Sequence, residues 1–188
     1  MVRWEPNARG RLEKAALGLY DERGFDATTV AEIAARAGLT ERTFFRHFAD
    51  KREVLFGGSE ALEDRLVRGT LEASADLGPV EAITAAVVDL ADDAFTGRHE
   101  LARHRQAIIA AHPELREREL IKMASLASAL AGALRQRGVP DPAASLAAEA
   151  GIAVFKVSFE RWVTGPGDQS LSQLIRESAD TLKAVATA

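Results

Sequence analysis

Apolar residues recur at intervals of three and four along the chain, and no stretch alternates with period two. That pattern predicts consecutive helices and no strand. The first helix is expected over about residues 11–23, with Leu12, Ala15, Ala16, Leu19 and Tyr20 on one face and Gly24 placed for a C-cap. The second is expected over about 30–37, on Val30, Ile33, Ala34 and Ala37. Thr29 with Glu32 three residues later is a capping box that marks its start. Gly38-Leu39 forms a turn, and Thr40 caps a short third helix in which Phe44 and Phe48 sit one turn apart. Asp50 and Glu53 repeat the capping pattern and open a long fourth helix, expected over 50–72.

Beyond a break at 76–79, further helices are expected near 79–95, 99–111, 113–137, 143–164 and 171–185. Pro113 suits a first helical turn, and Gly138-Val139-Pro140 and Gly165-Pro166-Gly167 act as stops. Ser170 and Gln173 cap the last helix. The expectation is an all-α chain of about nine helices in two domains, 1–52 and 53–188, with the fourth helix connecting them.

Composition narrows the chemistry. The 188 residues include no cysteine, which excludes disulfides, thiolate metal sites and a thiol nucleophile. Apolar runs fall far short of the ~18 residues that cross a bilayer, and the opening MVRWEPNARG lacks the apolar centre of a secretory signal. The expectation is a cytoplasmic protein with no membrane partner. Charge is uneven: residues 1–52 carry 10 Lys+Arg against 8 Asp+Glu, the remainder 14 against 20. A weakly basic head on an acidic body points the head towards a polyanion.

Two short helices joined by a Gly-containing turn make a helix-turn-helix. With Phe44 and Phe48 facing inward, the third helix leaves Glu41, Arg42, Thr43, Arg46 and His47 outward or flanking, as a DNA-recognition helix requires. Helix N-termini at Thr29, Thr40 and Asp50-Lys51 offer free N–H groups suited to phosphate. The stretch TTVAEIAARAGLTERTFFRHFADKREVLF, residues 28–56, resembles the TetR family of transcriptional repressors, whose pattern the head follows over about residues 9–56.

The resemblance implies that Thr29, Thr40, His47 and Lys51 contact phosphates and that Arg42 and Thr43 read base edges in the major groove. An Arg there takes guanine O6 and N7 bidentately. The family usually has Tyr where this chain has Phe45, so one phosphate hydrogen bond is lost and Phe45 is left to pack on sugar or a thymine methyl.

The resemblance also implies an all-helical second domain whose last two helices pair with those of a second subunit. The helix at 143–164 is apolar on two sides: Ile152, Phe155, Phe159 and Trp162 form one stripe, and Leu146, Ala150, Ala153, Val154 and Val157 another. A helix apolar nearly all round needs cover on both faces. Ala143, Ala147, Ala148 and Gly151 permit close helix approach. Phe95, Phe155, Phe159 and Trp162, with Met123, Ile108 and Leu126, are candidates to line an effector pocket. The stretch 104–119 resembles a subgroup binding acyl-CoA-like ligands that includes mycofactocin-type regulators. On that reading Arg103, Arg105, Arg116 or Arg118 faces the anionic groups of the ligand.

Catalysis finds no support. His47, His99, His104 and His112 form no metal-binding pair, no nucleophile elbow or phosphate-binding glycine loop is present, and no metal or cofactor is expected. The expected function is a homodimeric, sequence-specific regulator, a repressor released from a palindromic operator by a small-molecule inducer, nucleoid-associated while bound. The alternatives are a dimeric DNA-binding or architectural protein without an effector and, remotely, a helical-bundle metalloenzyme.

Overall fold

The computed structural model describes residues 7–187, and within them the chain folds into nine α-helices and one 3-10 turn, with no strand. In order these are α1 (Ala8–Arg23), α2 (Val30–Arg36), α3 (Glu41–His47), the 3-10 turn (Glu53–Phe56), α4 (Ser59–Glu72), α5 (Pro79–Ala94), α6 (His99–Ala111), α7 (Pro113–Gln136), α8 (Ala143–Thr164) and α9 (Leu171–Thr187). No helix among them is long and apolar enough to cross a membrane.

Local chemistry sets most boundaries. Thr29 and Glu32 form the reciprocal capping box at the start of α2. Thr40 accepts from Thr43 N at the start of α3. Gly24 ends α1 at φ 83. Pro79 stands in the first turn of α5, where a missing N–H costs nothing.

The fourth helix departs from expectation. In place of one helix over 50–72, Asp50 Oδ1 accepts from Arg52 N (2.8 Å) and Glu53 N (3.0 Å) and starts only a 3-10 turn. Gly57-Gly58 then breaks the chain before α4. Gly58 adopts φ 83, a left-handed conformation that a side chain resists, and at Gly57 a Cβ would collide with the Glu13 carboxylate.

The chain divides into two compact units. One takes the residues through Gly58 together with Ala107–Leu115; the other takes Ser59–Gln106 and the chain from Arg116 onward. The first unit thus includes a segment that lies far away in sequence. Its core holds Leu12, Ala16, Leu19, Ile33, Phe44 and Phe48, and also Ile109 and Leu115, both fully buried.

The second unit is centred on α5, whose Ala82, Ile83, Ala86, Val87 and Leu90 are buried. Gly151 lets α8 approach α5: a Cβ there would meet the Ile83 side chain. With Ala144, Ala147 and Ala148 also buried, the small residues of α8 serve packing within the chain. Between α8 and α9 the buried Ser158 hydroxyl lies 2.9 Å from Ser178 Oγ and 2.7 Å from the Val154 carbonyl, so its polarity is satisfied. Arg137 closes α4, its guanidinium donating to the carbonyls of Thr70, Leu71, Ala73 and Ser74.

Candidate functional site

Helix α3 is seated by its aromatics. Phe44 is fully buried and Phe48 nearly so, their rings 5.5 Å apart. Glu41, Arg42, Phe45 and Arg46 are exposed in consequence, and Thr43 and His47 half-buried. Phe45 stands out at 55% exposure, its ring edge-on to Phe44. The turn before α3 is tightly built. Gly38 has φ 65, and the Arg11 guanidinium approaches so closely to donate to the Ala37 carbonyl that a Cβ on Gly38 would stand 2.8 Å from it. Arg11 thus ties the end of α2 to α1.

Four arginines of this unit are ion-paired. Arg9 pairs with Glu13, Arg23 with Glu32, Arg36 with Glu22 and Arg52 with Asp50. Arg42 and Arg46 have no hydrogen bond or ion pair to protein among the described residues. Two unneutralised guanidiniums therefore project from one exposed helix face, beside an exposed aromatic ring.

The threonines are bonded locally. Thr29 Oγ1 donates to Glu32 Oε2 (2.9 Å) and accepts from Glu32 N. The Thr29 N–H and Arg23 hold the Glu32 carboxyl below the ordinary glutamate range. Thr40 and Thr43 share a hydroxyl–hydroxyl contact of 3.0 Å. These caps occupy part of the capacity that a phosphate would use. His47 Nε2 is buried with no hydrogen-bond partner among the described residues.

Lys51 is bonded to the loop between α1 and α2. Its Nζ lies 2.8, 3.1 and 2.9 Å from the carbonyls of Phe25, Asp26 and Thr28, and 4.6 Å from the centre of the Phe25 ring. The Lys51 carbonyl accepts from Tyr20 Oη at 2.6 Å. Burial, with the charge of Asp50 adding to it, pushes the Tyr20 hydroxyl well above its ordinary pKa, so the phenol stays a donor. The His112 ring packs edge-on to Phe25 at 5.0 Å, and its Nε2 is 3.8 Å from Asp26 Oδ2.

In the second unit the structure gathers most of the aromatic candidates. Phe95 lies 5.9 Å from Phe159 and 5.8 Å from Trp162, and Phe155 lies 5.6 Å from Phe159. His99, not nominated from sequence, joins them, 5.0 Å from the Trp162 ring with its Nε2 2.8 Å from the Trp162 carbonyl. Trp162 is buried, while Phe95, Phe155, Phe159 and Met123 are half-buried and pack on the core from its edge.

Ile108 is not brought to this cluster; it packs on the core of the first unit. Arg103 is exposed and paired with Glu100, whereas Arg105, 3.7 Å from Glu119, is pushed below its ordinary pKa by burial, with Glu119 opposing. An open groove of about 320 Å³ between α5 and α9, lined by Val80, Thr84, Val88 and Ala179 among others, borders none of the nominated residues.

One face of α8 remains uncovered. Leu146 is 67% and Val157 52% exposed, with Ala150 half-buried and Ala153 exposed between them, a stripe at helical spacing.

Family models match both parts of the chain. One described as bacterial regulatory proteins, tetR family, covers residues 12–56, and one described as the MftR C-terminal domain covers residues 77–187. The HTH-type transcriptional regulator TcmR of Streptomyces glaucescens is 35% identical over 78 residues, 42% of this chain and 34% of TcmR. The HTH-type transcriptional repressor KstR2 of Mycobacterium tuberculosis is 39% identical over 64 residues, 34% of this chain and 28% of KstR2. The alignments span about a third of the length of these curated relatives. Among solved structures, the transcriptional regulator FadR of Bacillus subtilis, solved with stearoyl-CoA, superposes with a TM-score of 0.63 at 21% identity, over 92% of this chain and 96% of that one. That likeness shows a shared fold. With one model matching more than half of its length and another its helix-turn-helix, the chain belongs to the TetR family of bacterial regulatory proteins.

Proposed function

We propose that the protein is a homodimeric transcriptional repressor that binds a palindromic operator and is released from it by a small-molecule effector. The observation that carries the reading is the pair of unneutralised guanidiniums, Arg42 and Arg46, on the exposed face of α3. In a head whose other described arginines are engaged by protein, they are free for bases and phosphates. Arg42 and Thr43 read base edges; Thr29, Thr40, Arg46 and His47 meet phosphates; Phe45 packs on sugar or a thymine methyl. The KstR2 likeness supports repression as the direction of control.

The uncovered stripe Leu146, Ala150, Ala153 and Val157 supports pairing through α8, with α9 beside it. Two copies joined there hold two recognition helices at one spacing, which a palindrome mirrors. The half-buried aromatics around Phe159 support an effector with an apolar body, and the matched MftR-type domain and the acyl-CoA in the related fold support an acyl-CoA-like class. Such an effector acts only by binding the operator-competent and operator-incompetent geometries unequally. The protein works in the cytoplasm, on the nucleoid while bound.

Selection from random-sequence duplex DNA tests the reading. The wild type is expected to enrich a palindrome, and Arg42→Ala to lose ~1–3 kcal/mol and relax preference at one base pair per half-site. Enrichment without a motif, identical in wild type and Arg42→Ala, refutes it.

A further inference from the structure

Gln106 of α6 carries an acceptor that the described residues leave unused. Its Nε2 donates to Glu119 Oε2 of α7 at 3.3 Å, and its Oε1 is buried with no hydrogen-bond partner among them. Turning the amide over brings no relief, because Oε1 would then face the Glu119 carboxylate, acceptor against acceptor. An amide oxygen withdrawn from water without a donor is destabilising, and a bound molecule that supplies the donor recovers that loss.

The acceptor shares a surface with the aromatic cluster of the second unit. His99, Ala102 and Gln106 follow at steps of three and four, which is one face of α6. His99 rests on the Trp162 ring, and Ala102 packs on the core of the unit. On α7, Glu119 and Met123 are one turn apart, and Met123 packs on that same core. Along α6 an apolar end at Trp162 therefore gives way to a polar end at Gln106 and Glu119, roughly 10 Å from His99 at the helical rise per residue.

The polar end lacks a proton rather than a charge. Glu119 already has a cation, Arg105 at 3.7 Å. What is left over is a carbonyl oxygen beside a carboxylate. It suits an O–H or N–H, and it repels a carboxylate or a phosphate.

We propose that Gln106 is a specificity-determining residue of the effector site: its Oε1 accepts from a neutral hydroxyl or amide N–H of an effector whose apolar body lies among Phe95, Phe155 and Phe159. The proposal rests on the reading of the second unit as an effector domain. It adds that the anionic part of an acyl-CoA-like molecule is held away from this end.

Three small probes separate the chemistries. Decanol brings an O–H, its isomer methyl nonyl ether has the same atoms without the donor, and decanoate brings an anion. In calorimetric titrations the wild type is expected to bind decanol about tenfold or more tightly than either of the others. Gln106→Leu removes the acceptor and keeps an apolar side chain; it is expected to bind decanol and the ether alike. Equal affinity for decanol and ether in the wild type, or a preference that survives in Gln106→Leu, overturns the proposal. The oxygen then serves a buried water only, and the effector reading stands. No saturable binding of any probe strikes the effector reading itself, and the anchor with it.

NMR of the wild type keeps the test decisive where Gln106→Leu loses helicity. The side-chain carbonyl carbon of Gln106 is expected to shift downfield as decanol is added and to stay in place with the ether. An identical response to both probes refutes the hydrogen bond.

Discussion

Ile109 belongs to the core of the first unit although it lies more than fifty residues beyond α3. Replacing it with Ala removes three side-chain carbons from a site with no solvent exposure. At ~0.8 kcal/mol per buried carbon the transfer cost is about 2.4 kcal/mol, and the cavity left among close-packed neighbours raises it to roughly 3–4 kcal/mol.

Because the chain has two compact units, a single melting temperature would blur the effect. Amide hydrogen exchange resolves it. Core amides of α1–α3, such as those of Leu19, Ile33 and Phe44, are expected to exchange roughly 100- to 1,000-fold faster, since each 1.4 kcal/mol is a factor of ten. Leu174→Ala, at a site of similar burial in the other core, is expected to accelerate second-unit amides instead. If Ile109→Ala leaves exchange in α1–α3 at wild-type rates, the segment Ala107–Leu115 is not part of the first unit and the reasoning fails.

Gly38→Ala combines a left-handed φ, about 1–2 kcal/mol for a residue with Cβ, with displacement of Arg11 from the Ala37 carbonyl. A total loss of about 2–4 kcal/mol is expected in denaturant titrations followed at head amides; a neutral result would mean the turn tolerates a side chain. Leu146→Glu with Val157→Glu places charge on the uncovered stripe of α8, and sedimentation equilibrium is expected to show monomers with unchanged helicity; a persisting dimer moves the interface elsewhere.

Glu32, held below the ordinary glutamate range by the Thr29 N–H and then by the Thr29 hydroxyl and Arg23, stabilises α2 fully above its unfolded pKa. That contribution is lost as pH falls through the depressed folded value. Its carboxyl carbon is expected to titrate below a peptide glutamate, and a midpoint at or above the peptide value refutes the cap's electrostatic role.

Much of the fold was legible because its signals are local. Capping by Thr29, Thr40 and Ser170, and proline at the first turn of α5, act over three or four residues, so the helix starts could be read directly. The three-to-four spacing of Phe44 and Phe48 likewise determined which face of α3 is buried, and with it the exposure of Arg42, Phe45 and Arg46.

Periodicity tells that a face is apolar and not what covers it, and there the tertiary structure decided. It assigned Ile108, Ile109 and Leu115 to the first unit rather than to the second, set Gly151 of α8 against α5, and left Leu146 and Val157 uncovered. It broke the fourth helix at Gly57-Gly58, where Gly58 takes a left-handed φ and the capping signal at Asp50 starts only a 3-10 turn. It gave Lys51 three carbonyls more than twenty residues away in sequence. A sequence announces that an ammonium is present; which acceptors its protons find depends on where the folded backbone carries them.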